Sequence, residues 1–542
     1  MPKFNLSYHR VPVTNDLSFS NFQFYNPLYS ELFNLNETNF NKITLNHKYH
    51  FLSTNTIYNS TTQEHLEKEF FIKYSPLIDP SKYMAGKYSK YNLDLPTISD
   101  TSSNVFYRII DPNNVSYIDN FFNYLSSKIL NEHDFVNSID YYGSFLCIKE
   151  NFKYDISDDI EYLYSSEYFN KNLNNLFTVT ETNHDYYNFG SRAYKKKLNI
   201  SESEHNINIL TDALDIFEIE DIDNEIITDL SDNIIYENNS IFSQAEDSDS
   251  ESSNDSELNY SSSENSNTDR CDDDENEEES DEESDMSSFN DDKLAYINEF
   301  PVQSICIEKC DGTLDNLFET EQLSSHEGIC AIFQVIMTLL CYQKTFFFTH
   351  NDLHTNNVMY INTNQKFLYY KFNKQLYKVP TYGKIYKIID FGRSIFRFNN
   401  RLFCSDSFGP DGDASTQYNC EPYFNPNKPR IDPNFSFDLC RLGCSIYDFI
   451  IDDDENPDDF NDLQKIVKYW CTDDDNKNIL YKKSGEERYP NFKLYKMIAR
   501  TVHKHTPEAQ LKIPIFKQFE INKVDFNVLD SLIDIDVIPS YI

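Results

Sequence analysis

Glycine and tryptophan are rare in this chain: they supply 11 and 1 of its 542 residues, and the pattern G-x-G-x-x-G does not occur. The 11 cysteines include no C-x-x-C pair and no zinc-like spacing, which predicts reduced thiols rather than a disulfide framework. No apolar run approaches the ~20 residues that a membrane span needs. Residues 1–10 are too polar for a signal peptide. These absences predict a soluble intracellular protein.

Positive charge is also in short supply: 47 Lys and Arg stand against 89 Asp and Glu, a formal net charge of −42. Residues 245–292 hold 21 acidic residues against Arg270 alone, with almost no large apolar side chain, so we expect disorder there. The acidic balance argues against non-specific binding to nucleic acids or anionic membranes, which are polyanions. The segment is either a solvated insert, a tether for a basic protein partner, or a target for acid-directed phosphorylation at Ser248, Ser250 or Ser280.

Hydrophobic periodicity predicts regular elements in much of the remaining chain. Tyr117–Leu130 and His326–Lys344 carry apolar residues at 3–4 spacing, which predicts helices. Ser324 and Glu327 form a capping box at the start of the second predicted helix. We expect strands at Val105–Ile110, Phe135–Ile148, Val302–Ile307, Phe367–Phe372, Gln375–Val379 and Lys384–Ile389. The last hundred residues indicate mostly helices.

Residues suited to phosphate chemistry follow the second predicted helix. Asp352 and Asn357 lie in one short segment, and Asp390 follows a strand-like run. Phosphoryl transfer needs metal ions to neutralise the phosphates and a carboxylate to orient the attacking hydroxyl. Mg²⁺ takes a few oxygen ligands from a protein and keeps waters and substrate phosphates in its shell. An Asp and an Asn five positions apart on a tight loop, facing a second Asp at a strand end, can supply that arrangement.

Two motifs carry a resemblance to the eukaryotic-type protein kinase superfamily. The segment from His350 to Asn357 resembles the catalytic loop H-x-D-L-x-x-x-N, and the D-F-G that begins at Asp390 resembles the metal-binding motif. The resemblance implies that Asp352 is the base or orients the substrate hydroxyl. It implies that Asn357 and Asp390 hold Mg²⁺ with ATP as the phosphate donor. His350 and Phe391 would be packing residues.

Three further segments extend the resemblance, in chain order, over about 296–470. Residues 305–314 resemble the hinge strand and the turn after it, which implies that Glu308 and Cys310 bind the nucleotide. The second predicted helix takes the place of the long helix that leads into the catalytic loop. Asp438 lies in a segment similar to the start of the central large-lobe helix, where an Asp braces the catalytic-loop backbone.

The interval between Asp352 and Asp390 is longer than in most kinases. It contains the strand pair Phe367–Val379, for which Asn373 and Lys374 predict the turn. A hairpin here, with a His two residues after the catalytic Asp, resembles haspin-type kinases. The sequence H-N-D-L-H-T-N-N also resembles that of the predicted serine/threonine kinases of mimivirus-type giant DNA viruses.

Position 351 is Asn, where most regulated kinases have an Arg that receives a phosphate on the activation loop. We therefore expect that phosphorylation of the Ser and Thr residues between 394 and 416 does not switch this protein.

Two alignments of the small lobe give different residues at the position of the ATP-binding lysine. In the first, Val105–Ile110 is the lysine-bearing strand, Arg108 replaces the lysine, and Tyr124 replaces the glutamate of the following helix. Because the planar Arg fork differs in reach from an ammonium group, this alignment favours a weak or inactive kinase.

In the second alignment, Gly143 belongs to a reduced glycine turn and Lys149 is the lysine, with Glu161 or Glu167 as its partner. The competing interpretation of Lys149 is a solvated surface lysine, the commoner fate of this residue type.

The resemblance implies an α+β, bilobal protein-kinase-like fold, with a small β-rich lobe that has one helix and a larger, mainly α-helical lobe. Residues 1–95 would be an N-terminal segment of unknown role. Residues 96–311 would be the small lobe and hinge, interrupted by an insert that contains the acidic loop 245–292, and 312–542 the large lobe.

The implied function is an ATP- and Mg²⁺-dependent kinase for Ser or Thr of an unidentified protein substrate, in the host cytoplasm or the virion if the chain is viral. A pseudokinase that acts by binding partners is the second interpretation. Small-molecule kinases of the aminoglycoside and choline type also use H-x-D-L-H-x-x-N. The complete D-F-G and the Asp438 segment favour a protein kinase over these.

Overall fold

The computed structural model describes residues 19–42, 45–53, 55–98, 105–157, 159–180, 293–451, 456–523 and 531–542. The acidic segment 245–292 lies outside these residues.

The described chain is a mixed α+β structure with several small sheets. Its strands are β1 (Phe19–Gln23), β2 (Tyr49–Ser53), β3 (Thr56–Asn59), β4 (Glu64–Glu67), β5 (Phe70–Pro76), β6 (Tyr141–Asp155), β7 (Phe177–Val179), β8 (Leu294–Glu308), β9 (Gly312–Thr313), β10 (Val358–Asn362), β11 (Phe367–Phe372), β12 (Gln375–Pro380), β13 (Lys384–Ile388), β14 (Ile395–Phe398), β15 (Arg401–Cys404), β16 (Glu520–Ile521) and β17 (Leu532–Asp534).

Its helices are α1 (Leu28–Leu32), α2 (Pro80–Met84), α3 (Tyr107–Ile110), α4 (Val115–His133), α5 (Ile160–Ser165), α6 (Glu167–Asn172), α7 (Leu314–Glu319), α8 (Ser325–Phe346), α9 (Phe437–Ile450), α10 (Asp462–Trp470), α11 (Lys493–Thr501), α12 (Pro507–Gln510) and α13 (Pro514–Lys517).

The largest sheet has five strands in the order β1-β6-β8-β5, with β7 also paired to β8. All of these pairings are antiparallel, and β6 and β8 form a long ladder of 15-residue strands. Strand β5 pairs along its whole length with β8, so that Lys73 lies opposite Ile305. The sheet therefore includes strands from residues 1–95, which the sequence interpretation sets apart from the small lobe.

Helix α4 confirms the helix predicted at Tyr117–Leu130 and extends it at both ends. The Asn114 side chain caps its first turn by accepting from the Ser116 amide, and Asp134 ends it in the left-handed conformation. The apolar face that the sequence predicts is fully buried and consists of Ile118, Phe121, Phe122, Leu125 and Ile129. This face packs the helix against the rest of the core.

Helix α8 confirms the second predicted helix, together with the capping box between Ser324 and Glu327. Of the helices that the structure describes, α8 alone is long and apolar enough to cross a membrane. However, 94% of its most apolar 18-residue stretch is buried inside the fold. That burial is typical of the central helix of a soluble protein.

The predicted hairpin is confirmed as β11 and β12. Asn373 and Lys374 form its turn and both have positive φ, at 49° and 65°. Such a two-residue turn matches the twist of antiparallel strands. Strand β17 pairs with β11 in parallel and β16 pairs with β12, so chain from the C-terminal region completes this four-stranded sheet.

Two strand predictions are corrected. Val105–Ile110 is not a strand: Val105 makes one bridge to Asn92, and the rest is the helical turn α3. A run rich in β-branched and aromatic residues favours a strand locally, but here the chain must turn into α4 within a few residues, and packing of Ile109 in the core overrides that propensity. The strand expected at Phe135–Ile148 begins instead at Tyr141, because turns follow the left-handed residue that ends α4.

Candidate active site

The loop between α8 and β10 is held in place by one buried carboxylate. Asp438, in the first turn of α9, accepts hydrogen bonds from the backbone amides of His350 (2.9 Å) and Asn351 (2.8 Å). Asn351 has a positive φ of 66°, a conformation that needs such fixed partners. Burial raises the pKa of Asp438, although the two amides and His350 oppose that shift. The contact expected between Asp438 and this loop is therefore present.

Asp352 lies on this loop with both carboxylate oxygens engaged. Its Oδ1 accepts from the Tyr495 hydroxyl at 2.7 Å, and its Oδ2 lies 3.2 Å from Nη1 of Arg393. Burial alone would raise the pKa of Asp352, but Arg393, His354 and Arg441 outweigh it and hold the pKa below its usual value. The carboxylate is thus fixed in orientation and stays ionised.

Asn357 closes the same loop. Its amide nitrogen donates to the backbone oxygen of Asp352 (2.9 Å) and lies 3.0 Å from Nε2 of His354. Its backbone oxygen accepts from the amide of Ile389, next to Asp390. With the amide nitrogen turned into the loop, the side-chain oxygen of Asn357 has no hydrogen-bond donor among the described residues. That oxygen is thus available as a ligand.

Asp390 is joined to the five-stranded sheet by a lysine. Nζ of Lys73, on β5, lies 3.0 Å from Oδ1 of Asp390 and 2.8 Å from Oδ2 of Asp119, on α4. Asp119 is fully buried, and its Oδ1 also accepts from the backbone amide of Phe391 at 2.8 Å. Burial raises the pKa of Asp119, while Lys73 lowers it. One ammonium group thus links a strand, a helix and the D-F-G segment.

Phe391 packs into the core beside α4 and the loop. Its ring is fully buried and lies 4.7 Å from the ring of Phe122, 6.0 Å from Phe348 and 5.8 Å from His350, measured between centroids. His350 is also buried and bonds through Nε2 to the backbone oxygen of Ile389. Both residues therefore pack as the sequence predicts.

Of the two predicted hinge residues, Glu308 ends β8 and Cys310 lies between β8 and β9. The carboxylate of Glu308 accepts from Lys387 at 2.7 Å, so its side chain is bound to β13. Burial raises the pKa of the Cys310 thiol to about 12 and keeps it neutral. No described residue accepts from the backbone amide of Cys310. A backbone donor is thus available at this position.

Arg108 does not lie on a lysine-bearing strand. It belongs to α3, and its Nε donates to Asp406 at 2.7 Å. Tyr124 reaches the backbone oxygen of Asn46 rather than a lysine. The first alignment fails because the residues around Arg108 form a helix and not a strand. The residue of α4 that pairs with a lysine is Asp119, five positions before Tyr124, and its partner is Lys73.

Lys149 does not approach Asp390 either. Its Nζ donates to the neighbouring Glu150 backbone oxygen and lies 5.2 Å from the ring centre of Tyr74. Since successive residues of a strand point to opposite faces, the contact with Tyr74 places Lys149 on the face opposite Lys73. Gly143, expected in a turn, lies inside β6 opposite Cys306. The second alignment is therefore also wrong.

The sequence interpretation missed Lys73 and Asp119. A signal for Asp119 exists: it is an acidic residue directly after Ile118 and three positions before Phe122, two members of the apolar face of the predicted helix. A buried carboxylate needs a charged or hydrogen-bonding partner, so this position indicates a basic residue elsewhere in the chain. Lys73, in the apolar run F-F-I-K-Y, is such a candidate.

The residues predicted to hold Mg²⁺ fit that ion by their chemistry. Asn357 and Asp390 offer amide and carboxylate oxygens on neighbouring segments, and oxygen is the donor that Mg²⁺ prefers. Among the described residues no group of three or more His, Cys, Asp or Glu could hold a metal ion alone. A Mg²⁺ ion here would therefore need further oxygen ligands from phosphates and water.

No protein-family model and no curated protein matches this chain. The geometry of the site and the sequence motifs are therefore the basis on which a function can be inferred.

The two candidate lysines offer a matched test. We expect ATP with Mg²⁺ to raise the melting temperature of the wild type and Lys73→Met to abolish that rise. It should also lower stability by about 3–5 kcal/mol, because it leaves buried Asp119 unpaired. Lys149→Met should change stability by less than about 0.5 kcal/mol and keep the ATP effect. Thermal melts with and without ATP and Mg²⁺ measure both. An ATP effect that survives in Lys73→Met and is lost in Lys149→Met would contradict this assignment.

Proposed function

We propose that this chain is an ATP- and Mg²⁺-dependent phosphotransferase with a bilobal protein-kinase-like fold, acting on Ser or Thr hydroxyls of proteins. The observation that carries the proposal is the double ion pair of Lys73 with Asp119 and Asp390. It brings a lysine of a β-sheet, an acid of the adjoining helix and the D-F-G acid together, beside the loop that bears Asp352. Protein kinases require this combination for phosphoryl transfer.

Two features of the fold support the bilobal assignment. The sheet of β5, β8 and β6 with α4 corresponds to a small β-rich lobe with one helix, and α7 to α13 correspond to a helical lobe. The segment from Glu308 to Gly312 connects them and would be the hinge. The hairpin β11–β12, between the loop and Asp390, supports the likeness to haspin-type kinases and to those of giant DNA viruses.

Each residue of the site has a role that its surroundings favour. Lys73 would neutralise the phosphates of ATP, and Asp119 holds its ammonium group in place. The Cys310 amide and the backbone at Glu308 would bind the base. Asp390 and Asn357 would hold Mg²⁺, which neutralises phosphate charge when bound. The ion pair with Arg393 makes Asp352 a weak base, so its role is to accept the hydrogen bond of the substrate hydroxyl and orient it.

A pseudokinase is the second candidate, because the Tyr495 hydroxyl already donates to Asp352 and no glycine-rich loop occurs in the sequence. An ionised carboxylate has about four acceptor positions, so Tyr495 and Arg393 leave room for a substrate hydroxyl. For that reason we favour the active enzyme. A small-molecule kinase remains the third interpretation.

The transfer reaction tests the proposal directly. We expect the wild type to transfer labelled phosphate from ATP with Mg²⁺ to itself or to a mixture of Ser- and Thr-containing peptides. Asp352→Asn should lower the rate by about 10³-fold or more while ATP still raises the melting temperature, since the change removes orientation of the hydroxyl and not nucleotide binding. Asp458→Asn, on an exposed turn, is the matched control. ATP binding without transfer in the wild type would favour the pseudokinase.

Activity should be independent of phosphorylation of the segment 394–416. Asn351 occupies the place of a phosphate-binding arginine, and it makes neutral hydrogen bonds to the backbone oxygen of Arg393 (2.9 Å) and to the Tyr418 hydroxyl (2.7 Å). Protein expressed with and without phosphatase treatment should transfer phosphate at rates within about twofold of each other, since these bonds need no added charge. Mass spectrometry confirms the phosphorylation state. A large loss of rate after complete dephosphorylation of this segment would show that a phosphate does order it.

A further inference from the structure

One stretch of this acidic chain has an excess of positive charge. Residues 482–517 contain nine Lys and Arg against three Glu, whereas the whole chain has a net charge of −42. This stretch includes α11, whose Tyr495 donates to Asp352. The local charge therefore has the opposite sign to that of the protein as a whole.

Three of these cations form a stripe on α11. Lys493, Lys496 and Arg500 are spaced i, i+3 and i+7, which places them on one helical face. The other side of the helix is buried through Tyr495, Ile498 and Ala499. We call Lys493, Lys496 and Arg500 the basic stripe. It spans two turns, so each member lies within about 8 Å of Tyr495 along the helix axis.

The stripe borders the segment that adjoins the catalytic loop. The Arg500 guanidinium donates to the backbone oxygens of Thr416 (3.0 Å) and Gln417 (3.3 Å). The next residue, Tyr418, donates its hydroxyl to Asn351, immediately before Asp352. A polypeptide bound along the stripe would therefore run beside residues 416–418, of which Tyr418 contacts the residue before Asp352.

The ends of the stripe keep their charge. Lys493 and Arg500 are exposed, and no carboxylate of a described residue pairs with either. The nearby acids have basic partners of their own: Asp413 pairs with Arg393, Asp474 with His503 and Glu421 with Arg430. Because the guanidinium of Arg500 meets only backbone oxygens, it can still receive a carboxylate.

We propose that the basic stripe binds acidic residues flanking the target Ser or Thr, so that the substrate class is an acidic protein segment. This deepens the proposed function and rests on it. Charge complementarity selects the occupant: a basic helix face with Lys493 and Arg500 exposed at its ends matches carboxylates of an extended peptide. A long nucleic acid would meet the strongly negative remainder of the protein, which disfavours it.

Peptides of matched length test the stripe. Each carries one Ser, flanked by Asp and Glu in the first, by Lys and Arg in the second, and by Asn and Gln in the third. We expect the acidic peptide to have the highest kcat/KM with the full-length protein. Lys493→Glu/Lys496→Glu/Arg500→Glu should raise its KM about tenfold or more, since three cationic side chains become anionic and repel the peptide. Lys493→Glu/Lys496→Glu, which keeps the Arg500 contacts to Thr416 and Gln417, should show a smaller rise of the same kind.

The control variant Lys153→Glu/Lys171→Glu/Lys517→Glu changes the net charge equally at exposed sites on β6, α6 and α13, and it should leave KM unchanged. Fluorescence anisotropy of the labelled acidic peptide measures binding without catalysis. Peptide binding that depends on the stripe, without phosphate transfer to any peptide, would overturn the proposed function but would support the stripe as a binding surface for acidic peptides. Equal KM values for acidic and neutral peptides, or equal effects of stripe and control variants, would overturn the stripe. So would an oligonucleotide that binds the stripe more tightly than the acidic peptide.

Discussion

The buried carboxylate of Asp119 determines how the parts of the site meet. It carries a charge into the core, where an unpaired carboxylate would cost several kcal/mol, and it is compensated by Lys73 and by the Phe391 amide. These two partners lie on different elements that are far apart in sequence. The need to satisfy one buried charge thus fixes β5, α4 and the D-F-G segment relative to one another.

A second buried carboxylate acts at the other side of the site. Asp438 accepts hydrogen bonds from two backbone amides of the loop and so holds Asn351 in its strained conformation. Asp119 accepts a hydrogen bond from the Phe391 amide in the same way. Between the two acids, aromatic packing around Phe391 joins α4 to the loop. Rigid support of this kind is what the positioning of reacting groups requires. The orientation of Asp352 and Asp390 depends on these supports.

The sequence predicts α8 and the β11–β12 hairpin well because their signals are local. The helix at α8 has a capping box and a continuous apolar face, and the turn at Asn373 and Lys374 needs only two residues of suitable conformation. The assignment of the ATP-binding lysine fails because the sequence has no glycine-rich loop to mark it. Lys73 then resembles any lysine of a half-buried strand. It is identified only through Asp119, 46 positions later, and that contact arises from the packing of β5 against α4.

The central claim is that Lys73 meets the phosphates of ATP. An acyl-phosphate derivative of ATP tests it most directly, because the amine nearest the bound phosphates attacks the acyl carbon, forms an amide and releases ATP. Mass spectrometry of the labelled full-length protein identifies the modified residue. The account predicts acylation of Lys73 that excess ATP with Mg²⁺ suppresses. Suppressible labelling of Lys149 instead, or labelling of Lys73 that ATP does not affect, would contradict it.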